Sequence, residues 1–193
     1  GGNNERQCYT DRLDNITVSY GVLKLTAKAE PFTGQKYPQG RADRGGELTQ
    51  SYTSGKLRTK GLSNWKYGRF EARMKLPQGQ STWPAFWMLP EENTYGEWPL
   101  SGEIDIMEYV GKIPHEIHTT LHTPSSFGQS INTNVETLEN IEEGFHVYKT
   151  NWSKDAIQFY IDNQLVYTFS PEEKDKKNYP FNKPFFIILN MAI

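Results

Sequence analysis

The sequence contains one cysteine, Cys8, among 193 residues, which excludes an intrachain disulfide and a zinc site built from several cysteines. It has no excess of positive charge, because 21 Lys and Arg residues stand against 23 Asp and Glu residues. No apolar run approaches the roughly 20 residues that a membrane-spanning helix needs. We therefore predict a protein that binds neither nucleic acid nor membrane, and we expect a monomer.

Long apolar stripes at helical spacing are absent as well, whereas the alternation typical of β-strands recurs along the chain. In residues 67–76, Phe70 and Ala72 fall on one face, and Arg69 and Arg73 fall on the other. This alternation is typical of a sheet with one buried side. The segments predicted as strands are 22–27, 54–60, 67–76, 85–89, 103–109, 117–123, 145–152, 157–160, 165–169 and 185–192.

Two stretches lack this alternation, and we predict them to be long irregular loops, at residues 31–46 and 123–144. Loops of this length in a compact domain are usually functional or mobile. Many short strands joined by turns predict an all-β fold, an antiparallel β-sandwich or jelly roll. Because no linker or repeat interrupts the chain, residues 1–193 are predicted to form one domain.

The most informative segment runs from Glu103 to Tyr109. Glu103 and Asp105 are two residues apart, so both lie on the same face of a strand. A regular strand would send Glu108 to the apolar face, where an unpaired carboxylate is costly. A β-bulge near Ile106 and Met107 would return Glu108 to the acidic face. The sequence therefore predicts three carboxylates in a row on one bulged strand.

The spacing of these carboxylates suggests a chemistry. Side chains that lean together from Glu103 and Glu108 can bring their carboxyl groups to about 5 Å, the spacing of retaining glycosidases. Glu103 would then be the nucleophile and Glu108 the acid/base, with Asp105 between them as a hydrogen-bond partner of Glu103. The alternative is a solvated acidic face, but crowding three carboxylates onto one strand works against folding and favours a function.

Several segments resemble one family in the expected order. They are Asn-Asn-Glu at 3–5, Tyr-Thr-Ser-Gly at 52–55, Tyr-Gly-Arg-Phe-Glu-Ala-Arg at 67–73, Trp-Pro-Ala-Phe-Trp-Met-Leu at 83–89, Gly-Glu-Ile-Asp-Ile-Met-Glu-Tyr at 102–109 and His-Thr-Thr-Leu-His at 118–122. Together they resemble glycoside hydrolase family 16 in its laminarinase-like form, the endo-β-1,3-glucanases. The resemblance implies a concanavalin A-like jelly roll with an open cleft that cleaves β-glucan polysaccharide with retention.

The resemblance also sets expectations about the chain ends and about cofactors. Family members normally have a strand before the Asn-Asn-Glu segment and further strands after the position of Ile193, so the chain is expected to be truncated at both ends. Catalysis in this family requires no cofactor. A structural calcium is common, but its ligands come largely from the missing terminal segments, so we assign it no residue. We expect a secreted or cell-surface protein whose signal peptide is not in this sequence.

Candidate substrate-binding residues come mainly from the same resemblance. A sugar-binding cleft needs flat apolar platforms beside hydrogen-bonding groups. The family pattern implies that tryptophans line the sugar subsites, that an Arg and an Asn contact glucose hydroxyls, and that a histidine approaches the catalytic carboxylates. The matching residues here are Trp83, Trp87, Trp98, Arg69, Asn4 and His122. For Trp87 core packing is an equal alternative, and for His122 a structural role is nearly so.

Asn190 is a candidate on its own residue pattern. It lies in an otherwise apolar strand, Ile-Ile-Leu-Asn-Met at 187–191, so its side chain is expected to point into the cleft.

The sequence is compatible with three functions. The first is an endo-acting β-1,3-glucanase, and the second is a relative that acts on mixed-linkage glucan or on another polysaccharide. The third is a non-catalytic β-glucan-binding module. The presence of Glu103, Asp105 and Glu108 favours an enzyme over a binding module.

Overall fold

The computed structural model describes residues 3–36 and 45–193, which form fifteen strands in the described part of the chain. The strands are β1 (Gln7–Tyr9), β2 (Ile16–Ser19), β3 (Val22–Leu25), β4 (Lys28–Gln35), β5 (Glu47–Ser54), β6 (Lys56–Arg58), β7 (Gly68–Met74), β8 (Trp83–Pro90), β9 (Glu103–Tyr109), β10 (Glu116–His122), β11 (Thr133–Thr137), β12 (His146–Trp152), β13 (Ile157–Ile161), β14 (Gln164–Phe169) and β15 (Phe185–Ala192).

Two sheets form the main layers of the fold. One has six strands in the order β11-β10-β9-β8-β15-β6, and the other has four in the order β14-β13-β12-β7. A three-stranded sheet, β1-β5-β4, and the β2–β3 hairpin complete the described residues. The predicted all-β antiparallel sandwich is confirmed, with the one exception that β1 pairs with β5 in parallel. Across residues 3–36 and 45–193, no helix is long and apolar enough to cross a membrane.

The hydrophobic core lies between the six-stranded and the four-stranded sheet. Strand β8 shows how the sequence builds it, because its burial alternates residue by residue. Phe86 and Met88 face the core and are 2% and 0% exposed, whereas Trp83 and Trp87 lie on the opposite face. The four-stranded sheet contributes large buried side chains such as Tyr148 and Phe159. The face of the six-stranded sheet that carries Trp83 and Trp87 therefore lies outside this core, where it can form a binding or catalytic site.

Both predicted long loops contain a strand, which corrects the sequence-based prediction. Strand β4 extends to Gln35, inside the stretch predicted as a loop from residue 31, and the rest of that stretch lies partly outside the described residues. Strand β11 lies inside the predicted loop 123–144 and adds an edge to the six-stranded sheet. Its Thr- and Asn-rich sequence lacks a buried apolar face, so the alternation signal was missing.

Candidate active site

The bulge in β9 is confirmed. Towards β8, Met107 pairs with Phe86 and Asp105 pairs with Trp87, so Ile106 is an extra residue with no partner in the ladder. The register to β10 shifts at the same place. A bulge of this kind reverses the side-chain alternation beyond it. As a result Glu108 returns to the same face as Glu103 and Asp105, while Met107 and Tyr109 are buried.

Cross-strand pairs show what surrounds these carboxylates, because residues opposite each other on neighbouring strands share a face. Glu103 pairs with His122 of β10. Glu108 pairs with Ala85 of β8, and Ala85 in turn pairs with Asn190 of β15. The carboxylate strand therefore lies near the middle of a sheet face to which β8, β10 and β15 all contribute.

Each of the three carboxylates has a specific polar neighbour. The indole N–H of Trp98 donates to Glu103 Oε2, and the indole N–H of Trp83 donates to Glu108 Oε1 at 3.1 Å. Asp105 is only 3% exposed, and its Oδ2 lies 3.2 Å from His122 Nε2. The predicted residues Trp83, Trp98 and His122 are thus brought to the carboxylates.

Burial dominates the electrostatics of this cluster. It raises the pKa of Glu103 well above its usual range, and the charge of Asp105 adds to this effect. Burial and the charge of Glu108 likewise raise the pKa of Asp105, although its hydrogen bond with Glu103 opposes them. The pKa of Glu108 is raised by burial too, while Trp83 and His122 act to lower it. Burial therefore favours the protonated form of all three carboxyl groups.

A second polar group lies beyond β8. The indole N–H of Trp87 donates to Asn190 Oδ1 at 2.6 Å, and Asn190 Nδ2 donates to the Tyr9 hydroxyl at 3.1 Å. Trp87 therefore lies on the open face, and the core-packing alternative for it is wrong. The predicted orientation of Asn190 toward this face is confirmed. The Lys56 ammonium lies 5.0 Å from the Trp87 ring centre and 5.3 Å from that of Tyr9.

Lys56 was missed by the sequence reasoning. Burial lowers its pKa, and the charges of Glu5 and Glu103 oppose that effect. The sequence carried one signal, since Lys56 and Arg58 alternate with Leu57 in a predicted strand. Nothing local revealed that β6 pairs with β15, with Lys56 opposite Asn190. That pairing is what brings Lys56 to the site.

Arg69 is the predicted substrate-binding residue that the structure does not bring to the cluster. It lies on β7, in the four-stranded sheet, and is exposed. Its neighbour Phe70 faces the core, so Arg69 points away from the six-stranded sheet and forms an ion pair with Glu71. The alternation of the strand correctly identified a polar face, but it carried no information about which sheet that face belongs to.

Asn4 lies at the edge of the site. It adopts a left-handed backbone conformation, with φ of 59°, and lines a cavity of about 360 Å³. Trp83 lines the same cavity, and Trp83 in turn donates to Glu108. Asn4 is thus connected to the carboxylates through Trp83, which lines the cavity with it and hydrogen-bonds Glu108. The full lining is Asn3, Asn4, Glu5, Arg6, Tyr52, Ser81, Trp83 and Ile193.

One group of side chains in the described residues could hold a metal ion. Ligand atoms of Glu103, Asp105 and His122 lie within 4.8 Å of one another. This donor set does not fit calcium, which takes six to eight oxygen ligands. Glu103 is also already hydrogen-bonded to Trp98. These residues therefore provide no place for the structural calcium that the resemblance implied.

Carboxylates that share one open sheet face with indole rings are an arrangement typical of enzymes that cleave glycosidic bonds. Residues 4–192 match the family described as glycosyl hydrolases family 16. The chain belongs to this family.

Individual relatives agree with this assignment. The whole chain is 39% identical to a beta-glucanase from Rhodothermus marinus, of which it spans 65%. It superposes on the crystal structure of a laminarinase from Flavobacterium sp. UMI-01 with a TM-score of 0.82 and 43% identity, covering all of this chain and 75% of that one. It is also similar to SCLam, a non-specific endo-beta-1,3(4)-glucanase, with a TM-score of 0.86, 36% identity, and coverage of 100% and 69%. The shared fold is the family 16 jelly roll.

Proposed function

We propose that this protein hydrolyses β-1,3-glucosidic bonds within β-glucans such as laminarin, acting inside the chain and retaining the anomeric configuration. The observation that carries the proposal is the bulge of β9, because it puts Glu103, Asp105 and Glu108 on one open face. Similarity to a beta-glucanase and to a laminarinase supports the substrate class. In this proposal residues 1–193 act as one catalytic domain.

The proposed reaction has two steps. Glu103 attacks the anomeric carbon and forms a glycosyl ester, while Glu108 gives its proton to the departing glycosidic oxygen. Glu108 then takes a proton from water, whose oxygen bonds to the anomeric carbon as the ester bond to Glu103 breaks. Retention requires carboxyl groups about 5 Å apart, and we expect that separation between Glu103 and Glu108. The two carboxylates supply all the acid, base and nucleophile, so the reaction needs no cofactor.

The electrostatics favour the role of Glu108 and work against that of Glu103, whose pKa is raised well above its usual range. Burial raises the pKa of Glu108, which favours the protonated form that the first step needs. Glu103 must be ionised to attack, and burial opposes this. The Trp98 N–H and the charge of His122 both act to lower its pKa. Asp105 shares a hydrogen bond with Glu103 and lies against His122, so it couples the two groups.

The sugar-binding residues in this proposal follow the same face of the sheet. Indole rings supply apolar platforms, and amide, imidazole and ammonium groups supply hydrogen bonds to hydroxyls. The set comprises Trp83, Trp87, Trp98, Asn4, His122 and Asn190, to which we add Lys56 and Tyr9. Arg69 is left out because it lies on the other sheet. A polysaccharide substrate also supports a secreted or cell-surface location.

A mixed-linkage activity is the second candidate. The chain is similar to a non-specific endo-beta-1,3(4)-glucanase at a TM-score of 0.86, which favours tolerance of β-1,4 bonds next to β-1,3 bonds. Incubation with laminarin, mixed-linkage glucan and agarose, followed by linkage and length analysis of the products, separates the candidates. Cleavage of laminarin alone supports the first candidate, and cleavage of both glucans supports the second. Binding without cleavage would overturn both.

Substitution of the two glutamates tests the mechanism. Glu103→Gln and Glu108→Gln should each lower laminarin hydrolysis by at least about 10²-fold, because each removes a group that acts in the transition state. The melting temperature, measured by thermal unfolding, should change little. Glu139→Gln, an exposed glutamate after β11, is the matched control and should keep full activity.

Azide separates the two roles. With an aryl β-glucoside whose leaving group needs no proton, azide should partly restore turnover to Glu108→Ala, since the glycosyl ester then forms without the acid and a small anion can attack it without a general base. The expected product is a β-glycosyl azide, detected by NMR. Near-normal activity of Glu103→Gln would contradict the assigned nucleophile.

A further inference from the structure

The segment between β10 and β11 presents an aromatic side chain beside the carboxylates. It begins directly after His122 with a tight turn, in which Thr123 N donates to Ser126 O at 2.8 Å and Ser126 N donates to Thr123 O at 3.1 Å. Thr123 itself is fully buried. Phe127 follows this turn immediately, so the turn determines where Phe127 lies.

The residues that follow Phe127 are also anchored by hydrogen bonds. The hydroxyl of Ser130, which is buried, donates to Leu121 O of β10 at 2.8 Å. The backbone N–H of Ile131 donates to Ser126 Oγ at 2.9 Å, which joins the two ends of the short segment. Phe127 is thus carried by a segment anchored on both sides, and its position does not depend on burial of its own ring.

The Phe127 ring contacts Trp98 and is half-exposed. It is 51% exposed, and its centre lies 5.7 Å from that of Trp98 at an interplanar angle of 82°. Trp98 is 50% exposed, contacts the His122 ring at 5.7 Å, and donates to Glu103. Two large aromatic rings exposed side by side next to buried carboxylates are an apolar patch of the kind that marks a binding surface.

The ring geometry indicates which ligand suits this patch. The two planes are nearly perpendicular, so one sugar ring can stack on only one of them while the other forms a side wall. The order of contacts from Glu103 to Trp98 to Phe127 places Phe127 one ring further from the reacting carboxylate than Trp98. We therefore expect a sugar that contacts Phe127 to be a different unit from the one attacked by Glu103.

We propose that Phe127 is a substrate-binding residue that stacks on a glucosyl unit away from the cleaved bond, on the β10 side of β9, and thereby determines the chain length the enzyme prefers. The proposal rests on the proposed function, because it takes a β-glucan as the substrate. A flat apolar ring fits the C–H face of a pyranose and makes no demand on its hydroxyls. Phe127 therefore contributes affinity for longer chains.

The test compares three changes at Phe127 with one matched control. Phe127→Ala removes the ring, Phe127→Leu keeps apolar bulk against Trp98 without a flat face, and Phe127→Tyr keeps the flat face. Ile131→Ala is the control, because Ile131 is 85% exposed in the same segment. Binding of β-1,3-gluco-oligosaccharides of increasing length is measured by calorimetry in a Glu103→Gln background, and kcat/KM is measured with Glu103 intact.

Phe127→Ala and Phe127→Leu should lower affinity and kcat/KM for the longest oligosaccharides by about tenfold. Values for the shortest ones should not change. Phe127→Tyr and Ile131→Ala should match the parent protein. Equal behaviour of Phe127→Ala and parent at every length would overturn the proposal, as would a loss in Phe127→Ala that Phe127→Leu restores. If the unaltered protein neither binds nor cleaves laminarin, the proposed function itself fails.

Discussion

The two sides of the carboxylate strand are built differently. Toward β8 and β15, Trp87, Asn190 and Tyr9 are joined by successive hydrogen bonds, and Lys56 lies over two of the rings. Toward β10, the ring of Trp98 makes T-shaped contacts with the rings of His122 and Phe127. The β8 side is therefore a hydrogen-bonded polar network that includes two partly buried aromatic rings. The β10 side is an aromatic corner, and its two largest rings are half-exposed.

This difference has a physical consequence for recognition. Hydrogen bonds are directional, so a polar network can distinguish the positions of sugar hydroxyls. Stacking on an aromatic face is tolerant of hydroxyl pattern, and its strength grows with the apolar area covered. We therefore expect the β8 side to determine which sugar is accepted and the β10 side to determine how much of the chain is bound.

The largest effect is expected on the β8 side. Asn190→Ala leaves the Trp87 N–H without an acceptor in a site where Asn190 is only 8% exposed. This hydrogen bond is partly buried, so its loss should lower the free energy of unfolding by about 0.5–1.5 kcal/mol and kcat/KM for laminarin by about tenfold or more. Urea unfolding and steady-state kinetics measure the two quantities.

Asn93→Ala is the matched control for this change, since Asn93 is exposed in the segment after β8. It should leave both quantities unchanged. If Asn190→Ala weakened only long oligosaccharides, as expected for Phe127, the division between the two sides would be wrong.

An intermediate effect is expected from His122, which connects the β10 side to the carboxylates. Its charge acts to lower the pKa of both Glu103 and Glu108. His122→Asn should raise both pKa values, so both limbs of the pH–activity profile should move to higher pH. The acidic limb moves because Glu103 then ionises later, and the basic limb moves because Glu108 keeps its proton longer.

His115→Asn is the control for that shift. His115 lies before β10, and its Nδ1 is 3.2 Å from Glu142 Oε2, away from the three carboxylates of β9. Both limbs of its pH–activity profile should stay at the pH values of the parent protein. A His122→Asn profile that moves to lower pH, or not at all, would show that the imidazole does not act on the carboxylates through its charge.

The smallest effect is expected away from both sides, at the His146–Asp162 pair of the four-stranded sheet. His146 Nδ1 lies 2.6 Å from Asp162 Oδ2, and this hydrogen bond raises the pKa of His146 despite its partial burial. A folded-state pKa above the unfolded one stabilises below about pH 6.5, and that stability is lost as pH rises through the folded value.

His146→Gln should therefore lower the free energy of unfolding at pH 5.5 by up to about 1 kcal/mol, and less or not at all at pH 9. Urea unfolding at the two pH values measures this. Substrate preference and product length should not change, which separates an effect on stability from the effects at β9. A larger loss at pH 9 than at pH 5.5 would contradict the sign of the linkage.

Local pattern was enough to predict the carboxylate strand. Glu103 and Asp105 had to share a face because strands alternate, and burying Glu108 would have been costly, so the bulge followed from three residues in one segment. Local pattern failed for β11, where no apolar alternation exists, and for β1, whose parallel pairing with β5 joins segments more than 40 residues apart in sequence.

The sequence by itself determined the all-β class, the position of the bulge and the three carboxylates, because each depends on neighbours along the chain. Only the tertiary structure decided which polar side chains join them. Arg69 and Lys56 both lie on predicted strands with a charged face, yet β7 joins the four-stranded sheet and β6 pairs with β15. Strand partners are chosen by long-range packing of apolar faces, and a strand's own alternation does not reveal its partner.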